Sequence, residues 1–434
     1  MNLKLGDFVV DKIVEKINAL DVEKRSFING KFVHAISGKI INKRSSADNR
    51  DISGLSACNS EDVDYAVNIA HKRYEEKIWV NIPVAKKKRI LFKLAELMEE
   101  HREELASLDT LETGRAFKNY YYDSIPKAIE ALKYFCEGID KIYDYSSSSG
   151  SNSFATITRE PLGVVGLITP WNDPLVVATW KFAPALLMGN SVVIKPAEQS
   201  SFSILKVAEL AKKAGLPDGV FNVVTGFGEE AGKALALHND VSGIFFTGSS
   251  EVGKLIMQYA GQSNMKKVGL ECGGKSAFIV TDKCADTKNA AKILAKNIFY
   301  NQGQICSAPS RLIISKRLKD EFIEYLKVEM EKYVPNNPFD VNTDVGCVVN
   351  LVQKRKIDKY IEIGQESGAT IITSQKNDWY AHKSRTAVLP TIIEEIDINS
   401  PLANEEIFGP VLVILTFDSI DEALSIANNT KYGL

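Results

Sequence analysis

One polar segment of the chain, residues 299–311, carries a lone cysteine in a setting suited to chemistry. It reads FYNQGQICSAPSR, and Cys306 follows Gly303 and Gln304. A cysteine without a chemical role usually lies among apolar residues, whereas an accessible backbone around a lone thiol favours a nucleophile. A structural role is nevertheless the commoner one for any single cysteine. We assign that structural role to Cys58, Cys136, Cys284 and Cys347.

A second segment, GLECGGKS at residues 269–276, matches the phosphate-binding pattern GxxxxGK[ST]. In a P-loop the lysine and serine begin a helix, because the N–H groups at the helix terminus hold the phosphates. Here Lys275 and Ser276 precede the apolar run AFIV, which predicts a strand. We therefore expect the match to be coincidental and predict that Glu271 is the functional residue. Cys272, beside it, is the second candidate for a reactive thiol.

Alternating strands and helices must position these residues. From residue 163 onward, apolar runs predict strands at GVVGLI, NSVVIKP, VFNVVTG and VSGIFFTGS, each followed by a helical pattern. This alternation is typical of βαβ units, so the predicted fold class is α/β with a parallel sheet. Residues 84–107 predict an amphipathic helix that ends near Gly114. The run YSSSSGSNS at residues 145–153 predicts a boundary or an exposed connection.

Polar residues and glycines follow the predicted strands at their carboxyl ends, where open parallel sheets bind ligands. Gly248 and Ser249 precede a helix and can offer N–H groups to a phosphate. Lys195 and Glu198 follow the second strand and can bind ribose hydroxyls, and an acid there disfavours the 2′-phosphate of NADP. No GxGxxG occurs, so ordinary turn glycines and a solvated Lys and Glu stay open as alternatives. Gly228 and Gly232 follow the third strand.

Composition narrows the function. The chain of 434 residues is long enough for about two or three domains, and its 53 basic and 55 acidic residues leave no net field to attract nucleic acid or an anionic membrane. Six scattered cysteines without a CxxC pair argue against a metal site and secreted disulfides, and favour a cytoplasmic protein. No apolar run reaches the ~18 residues that span a bilayer. Residues 1–20 predict a surface helix without a signal peptide, and we expect a small-molecule substrate.

Six motifs, in order along the chain, resemble those of the aldehyde dehydrogenase superfamily. They are TPWNDP (169–174), IKPAEQS (194–200), FTGS (246–249), LECGGKS (270–276), NQGQIC (301–306) and EEIFGPV (405–411). Three further segments, DSIPKAIEALKYFCEGIDKIY, AGLPDGVFNVVTGFGEEAG and QSNMKKV, are similar to bacterial γ-glutamyl-γ-aminobutyraldehyde dehydrogenases of putrescine breakdown. The superfamily resemblance implies NAD-dependent oxidation of an aldehyde to a carboxylic acid. The subfamily similarity implies an aminoaldehyde.

The resemblance implies four catalytic residues. Cys306 would attack the aldehyde to give a thiohemiacetal, and hydride transfer to NAD would leave a thioester. The side-chain amide of Asn172 and the N–H of Cys306 would stabilise the oxyanion. Glu271 would be the general base that activates the hydrolytic water. Lys181, in the helix after Asn172, would support these residues without contacting the substrate.

The resemblance also implies an NAD site, with NADP as the less favoured alternative. The implied contacts are Lys195 and Glu198 with the adenosine ribose, Trp171 and Gly228 with the adenosine half, Ser249 with the pyrophosphate, and Glu406 and Phe408 with the nicotinamide ribose and ring. Ile168, Gly232 and Gly248 complete the implied set. Taken without the resemblance, Glu406 is an ordinary surface acid.

An aldehyde dehydrogenase-like fold is implied as well, with a Rossmann-like NAD domain and an α/β catalytic domain. Residues 1–141 and 163–273 would form the NAD-binding domain, residues 142–162 an oligomerisation element, and residues 274–434 a catalytic domain that is incomplete at its C-terminus. The family continues for some tens of residues past NNTKYGL, into a substrate-pocket region and an oligomerisation strand. The family's homodimer or homotetramer is therefore doubtful here, and we expect an unpaired sheet edge.

Four residues depart from the family pattern. They are Asp173, Cys272, Pro309 and Asn404, at positions where an apolar or aromatic residue, Leu, Gly and Arg are usual. A carboxylate at position 173 is expected to raise the thiol pKa and slow the attack unless it points away or meets a cation. The main alternative function is a truncated, non-catalytic homologue that keeps nucleotide binding or an interaction role. A P-loop ATPase is a distant third.

Overall fold

The structure is a computed structural model that describes residues 15, 17, 22–148, 150–382 and 385–434. The surface helix predicted for residues 1–20 lies largely outside the described residues. No helix among the described residues is both long and apolar enough to cross a membrane.

Strands and helices alternate along most of the chain. The strands are β1 (Ser26–Ile28), β2 (Lys31–Val33), β3 (Ile40–Ile41), β4 (Leu55–Ser56), β5 (Tyr145–Ser148), β6 (Phe154–Ile157), β7 (Val164–Thr169), β8 (Ser191–Pro196), β9 (Phe221–Val223), β10 (Gly243–Thr247), β11 (Lys267–Glu271), β12 (Ala277–Val280), β13 (Arg311–Ser315), β14 (Thr370–Thr373), β15 (Thr391–Glu394) and β16 (Val411–Phe417). The helices are α1 (Ser60–Glu75), α2 (Val84–Glu100), α3 (Arg102–Thr113), α4 (Phe117–Asn119), α5 (Ile125–Gly138), α6 (Pro174–Leu187), α7 (Phe202–Lys213), α8 (Lys233–Leu237), α9 (Ser250–Gln262), α10 (Thr287–Phe299), α11 (Lys319–Met330), α12 (Leu351–Glu366), α13 (Asp378–His382), α14 (Pro401–Asn404) and α15 (Ile420–Asn428).

A seven-stranded sheet occupies the first part of the chain, in the order β11-β10-β7-β8-β9-β1-β2. Its five strands from β11 to β9 are parallel, and β1 joins antiparallel to both β9 and β2. Every residue of β7 and β8 is buried, which explains their continuous apolar runs. Because these strands are parallel, their carboxyl ends lie on the same side of the sheet. The residues at these ends are Thr169, Pro196, Thr247 and Glu271.

A five-stranded sheet follows, in the order β12-β13-β16-β15-β14, and only β14 runs antiparallel to its neighbour. The chain passes from the first sheet to the second between Glu271 and Ala277. Helices α10 and α11 pack on the second sheet through a buried apolar cluster that includes Leu294, Leu312 and Phe322. Each sheet therefore has its own core, and Glu271 ends the last strand of the first one.

Two local predictions are corrected by the structure. The single helix predicted for residues 84–107 is two helices, α2 and α3, because His101 leaves the helical conformation at φ −100° and ψ 17°. Gly114 ends α3 with φ 76°, as predicted. The serine-rich run predicted as a connection contains β5, which pairs with β6 in an antiparallel hairpin whose eight residues are all exposed. This hairpin is formed by backbone pairing between β5 and β6 and not by burial of apolar side chains, so the amino-acid composition did not indicate a strand.

Candidate active site

A cleft of about 880 Å³ is lined by residues that come from both sheets and their loops. Nine of the residues predicted from the sequence lie in its lining: Trp171, Asn172, Lys181, Gly248, Ser249, Glu271, Cys306, Glu406 and Phe408. These positions are far apart in the chain. The fold therefore brings a thiol, an amide and two carboxylates to one cavity.

Cys306 lies at the end of a tightly anchored loop that follows α10. Asn301 and Gln302 adopt left-handed backbone conformations, with φ 51° and 56°. The Gln302 side chain accepts from the N–H of Val388 at 2.8 Å and donates to its carbonyl at 2.9 Å. Gly303 passes so close to Gly409 that a Cβ atom at position 303 would lie 2.1 Å from the Gly409 carbonyl oxygen. The loop thus fixes the backbone that presents Cys306.

The environment of Cys306 raises the pKa of its thiol. Partial burial is the largest cause, and the negative charges of Glu406 and Glu271 act in the same direction. The N–H groups of Ser307 and of Cys306 itself act in the opposite direction, because they stabilise the thiolate. The free protein therefore holds mainly the neutral thiol near pH 7.

Asn172 connects the first sheet to the cysteine loop. It lies between β7 and α6, and its side-chain nitrogen donates to the Gln304 carbonyl at 3.0 Å. Its own carbonyl accepts from the side chain of Asn301 at 3.2 Å. The amide has a second hydrogen free of this bond. Asn172 is thus bound to Gln304, two residues before Cys306 in the chain, and its second amide hydrogen can still be donated into the cleft.

Glu271 is exposed at the end of β11, and its carbonyl accepts from the N–H of Gly248 at 3.0 Å. Lys181, on α6, donates to the Phe246 carbonyl at 3.4 Å. Burial lowers the pKa of Lys181 to about 8, although the charge of Glu271 acts to raise it. Lys181 therefore lies close enough to Glu271 for their charges to interact.

Glu406 and Phe408 lie in the loop that leads into β16, the central strand of the second sheet, and they line the cleft. One carboxylate oxygen of Glu406 accepts from the N–H of Gly274 at 3.2 Å, and burial raises the pKa of this acid. A Cβ atom at Gly273 would lie 2.2 Å from the other oxygen, so a side chain there would displace the Glu406 carboxylate. The rings of Phe408 and Trp171 meet edge to face, 5.3 Å apart.

The N-terminus of α9 also opens on the cleft. Gly248 and Ser249 immediately precede this helix, and the Ser249 hydroxyl accepts from the N–H of Val252 at 3.3 Å. This capping bond satisfies one of the free N–H groups of the first turn, and the remaining ones can bind an anion.

Five predicted cofactor residues do not line the cleft: Ile168, Lys195, Glu198, Gly228 and Gly232. Most of them lie close to one another. The buried Lys195 pairs with Glu198 at 3.4 Å, and the position of a Cβ atom at Gly232 lies 3.6 Å from Lys195 and 3.9 Å from Ile168. Burial lowers the pKa of Lys195, and the charge of Glu198 opposes that shift. Gly228 begins the turn of π-helix that ends at Gly232.

Other residues of the lining were not predicted. Gln353 and Lys356 lie on α12, and Gln353 donates to the Phe408 carbonyl at 2.8 Å. Polar residues on an amphipathic helix usually face water, so the sequence gave no signal for either. Cys272, the second-ranked thiol, is in the lining as well. Helix α6 supplies apolar lining through Val177, Trp180, Pro184 and Ala185, and Met188 directly after the helix adds to it.

The P-loop interpretation fails on the local structure. Lys275 and Ser276 lead into strand β12, so no helix follows the motif, as predicted. The Lys275 side chain is 1% exposed, and its amino group has no hydrogen-bond partner among the described residues. Burial lowers the pKa of this lysine to about 7. A buried amine of this kind is not available to a nucleotide phosphate.

Comparison with known proteins agrees with this geometry. The aldehyde dehydrogenase family pattern matches residues 32–434. The chain is 42% identical, over 97% of its length and 84% of the relative's, to the NADP/NAD-dependent aldehyde dehydrogenase PuuC of Escherichia coli K12. The chain belongs to the aldehyde dehydrogenase family.

Solved structures of this family superpose closely on the chain. The γ-glutamyl-γ-aminobutyraldehyde dehydrogenase of Burkholderia cenocepacia J2315 gives a TM-score of 0.95 at 41% identity, covering 98% of this chain and 86% of its own. The indole-3-acetaldehyde dehydrogenase AldA of P. syringae, solved with NAD+, gives a TM-score of 0.96 at 40% identity with the same coverage. The α/β aldehyde dehydrogenase fold predicted from the sequence is therefore confirmed.

Proposed function

We propose that this aldehyde dehydrogenase oxidises an aldehyde to a carboxylic acid with NAD, through covalent intermediates on Cys306. The observation that supports this most strongly is the cleft itself, which gathers Cys306, Asn172 and Glu271 with Glu406. The cleft also fits a dinucleotide. It has a helix N-terminus that can bind phosphates, and Glu406 and Phe408 stand across the cleft from Trp171. NAD, when bound, accepts the hydride.

The reaction begins at the thiol, which loses its proton to water. The thiolate adds to the aldehyde carbon, and as the C–S bond forms the C=O π bond breaks to give a thiohemiacetal with a negatively charged oxygen. The aldehyde oxygen gains negative charge in this step and needs donors already in place. The second amide hydrogen of Asn172 and the N–H of Cys306 supply them, because the loop bond from Asn172 to Gln304 fixes the amide beside the cysteine.

Once the hydride has left the thiohemiacetal carbon, Cys306 carries a thioester, whose hydrolysis requires a base with access to water. Glu271 is exposed in the cleft and is held by its backbone at the end of β11. Its carboxylate takes a proton from the attacking water, and the Cys306 thiol is released with the acid product. Lys181, on α6, is near enough for its charge to interact with that of Glu271.

For the substrate and cofactor we propose an aminoaldehyde and NAD in preference to NADP. The support for the first is similarity to aminoaldehyde dehydrogenases such as the B. cenocepacia enzyme. The support for the second is Glu198, whose carboxylate repels a 2′-phosphate. PuuC, by its name, uses either cofactor, so a modest preference is the expected outcome.

The test is NADH formation from an aminoaldehyde by the wild type, Cys306→Ala and Cys272→Ala. Both thiols line the cleft, so the second variant is a matched control. We expect Cys306→Ala to lose turnover but bind NAD, while Cys272→Ala keeps its turnover. If the wild type binds NAD without any turnover, the non-catalytic alternative is correct.

We also propose that the hairpin β5–β6, within residues 142–162, contacts a second copy of the chain. All eight strand residues are exposed, and the apolar side chains of Tyr145, Phe154 and Ile157 are 62%, 73% and 66% exposed. An isolated two-stranded hairpin is marginally stable in water, and its open edges favour pairing with another chain.

A further inference from the structure

Asp173 directly follows Asn172, whose side-chain amide is the proposed oxyanion donor. Its carboxylate does not cap the helix that begins after it. It is the N-cap of α6, yet its side chain makes no capping bond to that helix. One carboxylate oxygen, Oδ1, is buried without a hydrogen-bond partner among the described residues. The other lies 3.4 Å from the guanidinium of Arg115. The carboxylate is therefore directed to Arg115 and not to its own helix.

Arg115 is buried, with 3% exposure, between α3 and α4. Its guanidinium donates to the hydroxyl of Tyr300 and lies 4.9 Å from the centres of the Tyr300 and Tyr120 rings. The Tyr300 hydroxyl in turn donates to Asp123 at 3.1 Å. Such a planar cation between two rings and a carboxylate has little freedom to move.

The two partners of Arg115 belong to the two segments that form the reaction centre. Asp173 adjoins Asn172, and Tyr300 begins the turn that leads through Asn301 to Cys306. Two hydrogen bonds also join these segments: the Asn172 side chain donates to the Gln304 carbonyl, and the Asn301 side chain donates to the Asn172 carbonyl. Arg115, which is not among the residues that line the cleft, thus contacts both segments.

Of the acidic groups near Arg115, Asp173 is the one whose negative charge Arg115 balances. Asp123 lies 3.8 Å from Arg115 but has a closer partner in Lys127, at 2.8 Å. Asp109 is fully buried, and burial raises its pKa well above the ordinary value, which opposes a negative charge on it. Burial also raises the pKa of Tyr120 and of Tyr300, so both are neutral near pH 7.

We propose that Arg115 is a positioning residue that neutralises Asp173 and holds it away from the Cys306 sulfur, so that this chain tolerates a carboxylate beside its oxyanion amide. The inference rests on the proposed role of Cys306. The carboxylates already near that thiol are Glu271 and Glu406. A third uncompensated charge would oppose thiolate formation further.

The test is the pH dependence of Cys306 alkylation by iodoacetamide, followed by mass spectrometry of the cysteine peptide in the cofactor-free protein. Arg115→Met removes the cation and should slow alkylation at pH 8 by about three- to tenfold, the factor for a half to one unit of pKa. Asp173→Asn should accelerate it, and the double variant should return close to the wild type. Arg317→Met, at an 84% exposed arginine paired with Asp282, is the control and should change nothing.

Opposite shifts from the two single variants are the signature of charge compensation, because a purely structural defect slows both. Asp173→Asn alone keeps the test decisive should Arg115→Met fold poorly, and thermal unfolding of each variant checks this. The proposal is overturned if Asp173→Asn leaves the alkylation profile unchanged or moves it to higher pH. Alkylation needs no turnover, so this failure is distinct from inactivity of Cys306→Ala, which concerns the proposed function.

Discussion

The chemistry of Cys306 depends on a balance between opposing neighbours. Burial and two carboxylates hold its pKa up, while two backbone N–H groups favour the thiolate. A raised pKa lowers the thiolate fraction at neutral pH but leaves a more nucleophilic sulfur once the proton is lost. The reactivity of the free enzyme is therefore set by charges that can be changed one at a time.

Removing the charge of Glu406 should lower the thiol pKa, because this carboxylate is the largest charge contribution that raises it. We expect Glu406→Gln to speed alkylation of Cys306 by iodoacetamide at pH 8 by about threefold, which corresponds to half a pKa unit. The measurement is the alkylation rate from pH 7 to 10 without NAD. An unchanged midpoint would show that burial alone raises the pKa.

Glu271 should act after hydride transfer, so its loss separates the two half-reactions. We expect Glu271→Gln to give a rapid burst of about one NADH per site and then turnover slowed by about a hundredfold or more. Stopped-flow absorbance measures both phases. Glu160→Gln, at an exposed acid in the same cleft lining, is the matched control. Loss of the burst itself in Glu271→Gln would contradict a role confined to hydrolysis.

The sequence predicts a functional residue when the signal for it lies in the residue's own segment of the chain. Cys306 and Glu271 stood out because their own segments were unusual for a buried cysteine or a P-loop. Glu406 needed the family resemblance, since an isolated surface acid carries no signal. Gln353 and Arg115 could not be predicted, because their roles depend on contacts with Phe408 and Asp173, far away in the chain.

Among the elements, the parallel strands were the most predictable part of the fold. Strands β7 and β8 are buried on both faces, so their apolar runs are continuous and easily recognised. The break at His101 and the exposed hairpin β5–β6 were not predicted, because neither depends on apolar periodicity. The apolar pattern continues across His101, and the hairpin has no buried face.

The turn at Gly114 links α3 to the buried Arg115, and it should tolerate no side chain. Its φ is 76°, and a Cβ atom there would lie 2.8 Å from the Cβ of Cys347. Gly38 has a similar φ of 68° but open space around it. We expect Gly38→Ala to lower the free energy of unfolding by about 1 kcal/mol, and Gly114→Ala by roughly 2–4 kcal/mol because overpacking adds to the strain.

Urea unfolding followed by circular dichroism measures both changes. The comparison isolates the contact, since the two glycines share the backbone conformation and differ in the space available. Equal losses of stability would show that the segment around Cys347 relaxes at little cost.

For the whole molecule, the cleft exists because two sheets with separate cores meet at the carboxyl ends of the first sheet's strands. Glu271 ends the first sheet, and Glu406 and Phe408 precede the central strand of the second. The sequence predicted the strands of each sheet, but the distance between their ends is a property of packing across the chain. From the sequence, only the family resemblance predicted that these residues form one site.

The exposed hairpin β5–β6 is the surface proposed to contact a second copy of the chain. If a second copy covers this hairpin, then a charge at its apolar positions should oppose association, because burying an unpaired carboxylate is costly. We expect Phe154→Asp combined with Ile157→Asp to reduce the mass observed by sedimentation at micromolar concentration, with NAD binding retained. Val328→Asp, on the outer helix α11 at a residue that is 65% exposed, is the control and should leave the mass unchanged. A wild-type chain that already sediments as a monomer, or a double variant with unaltered mass, would remove the hairpin from any role in assembly.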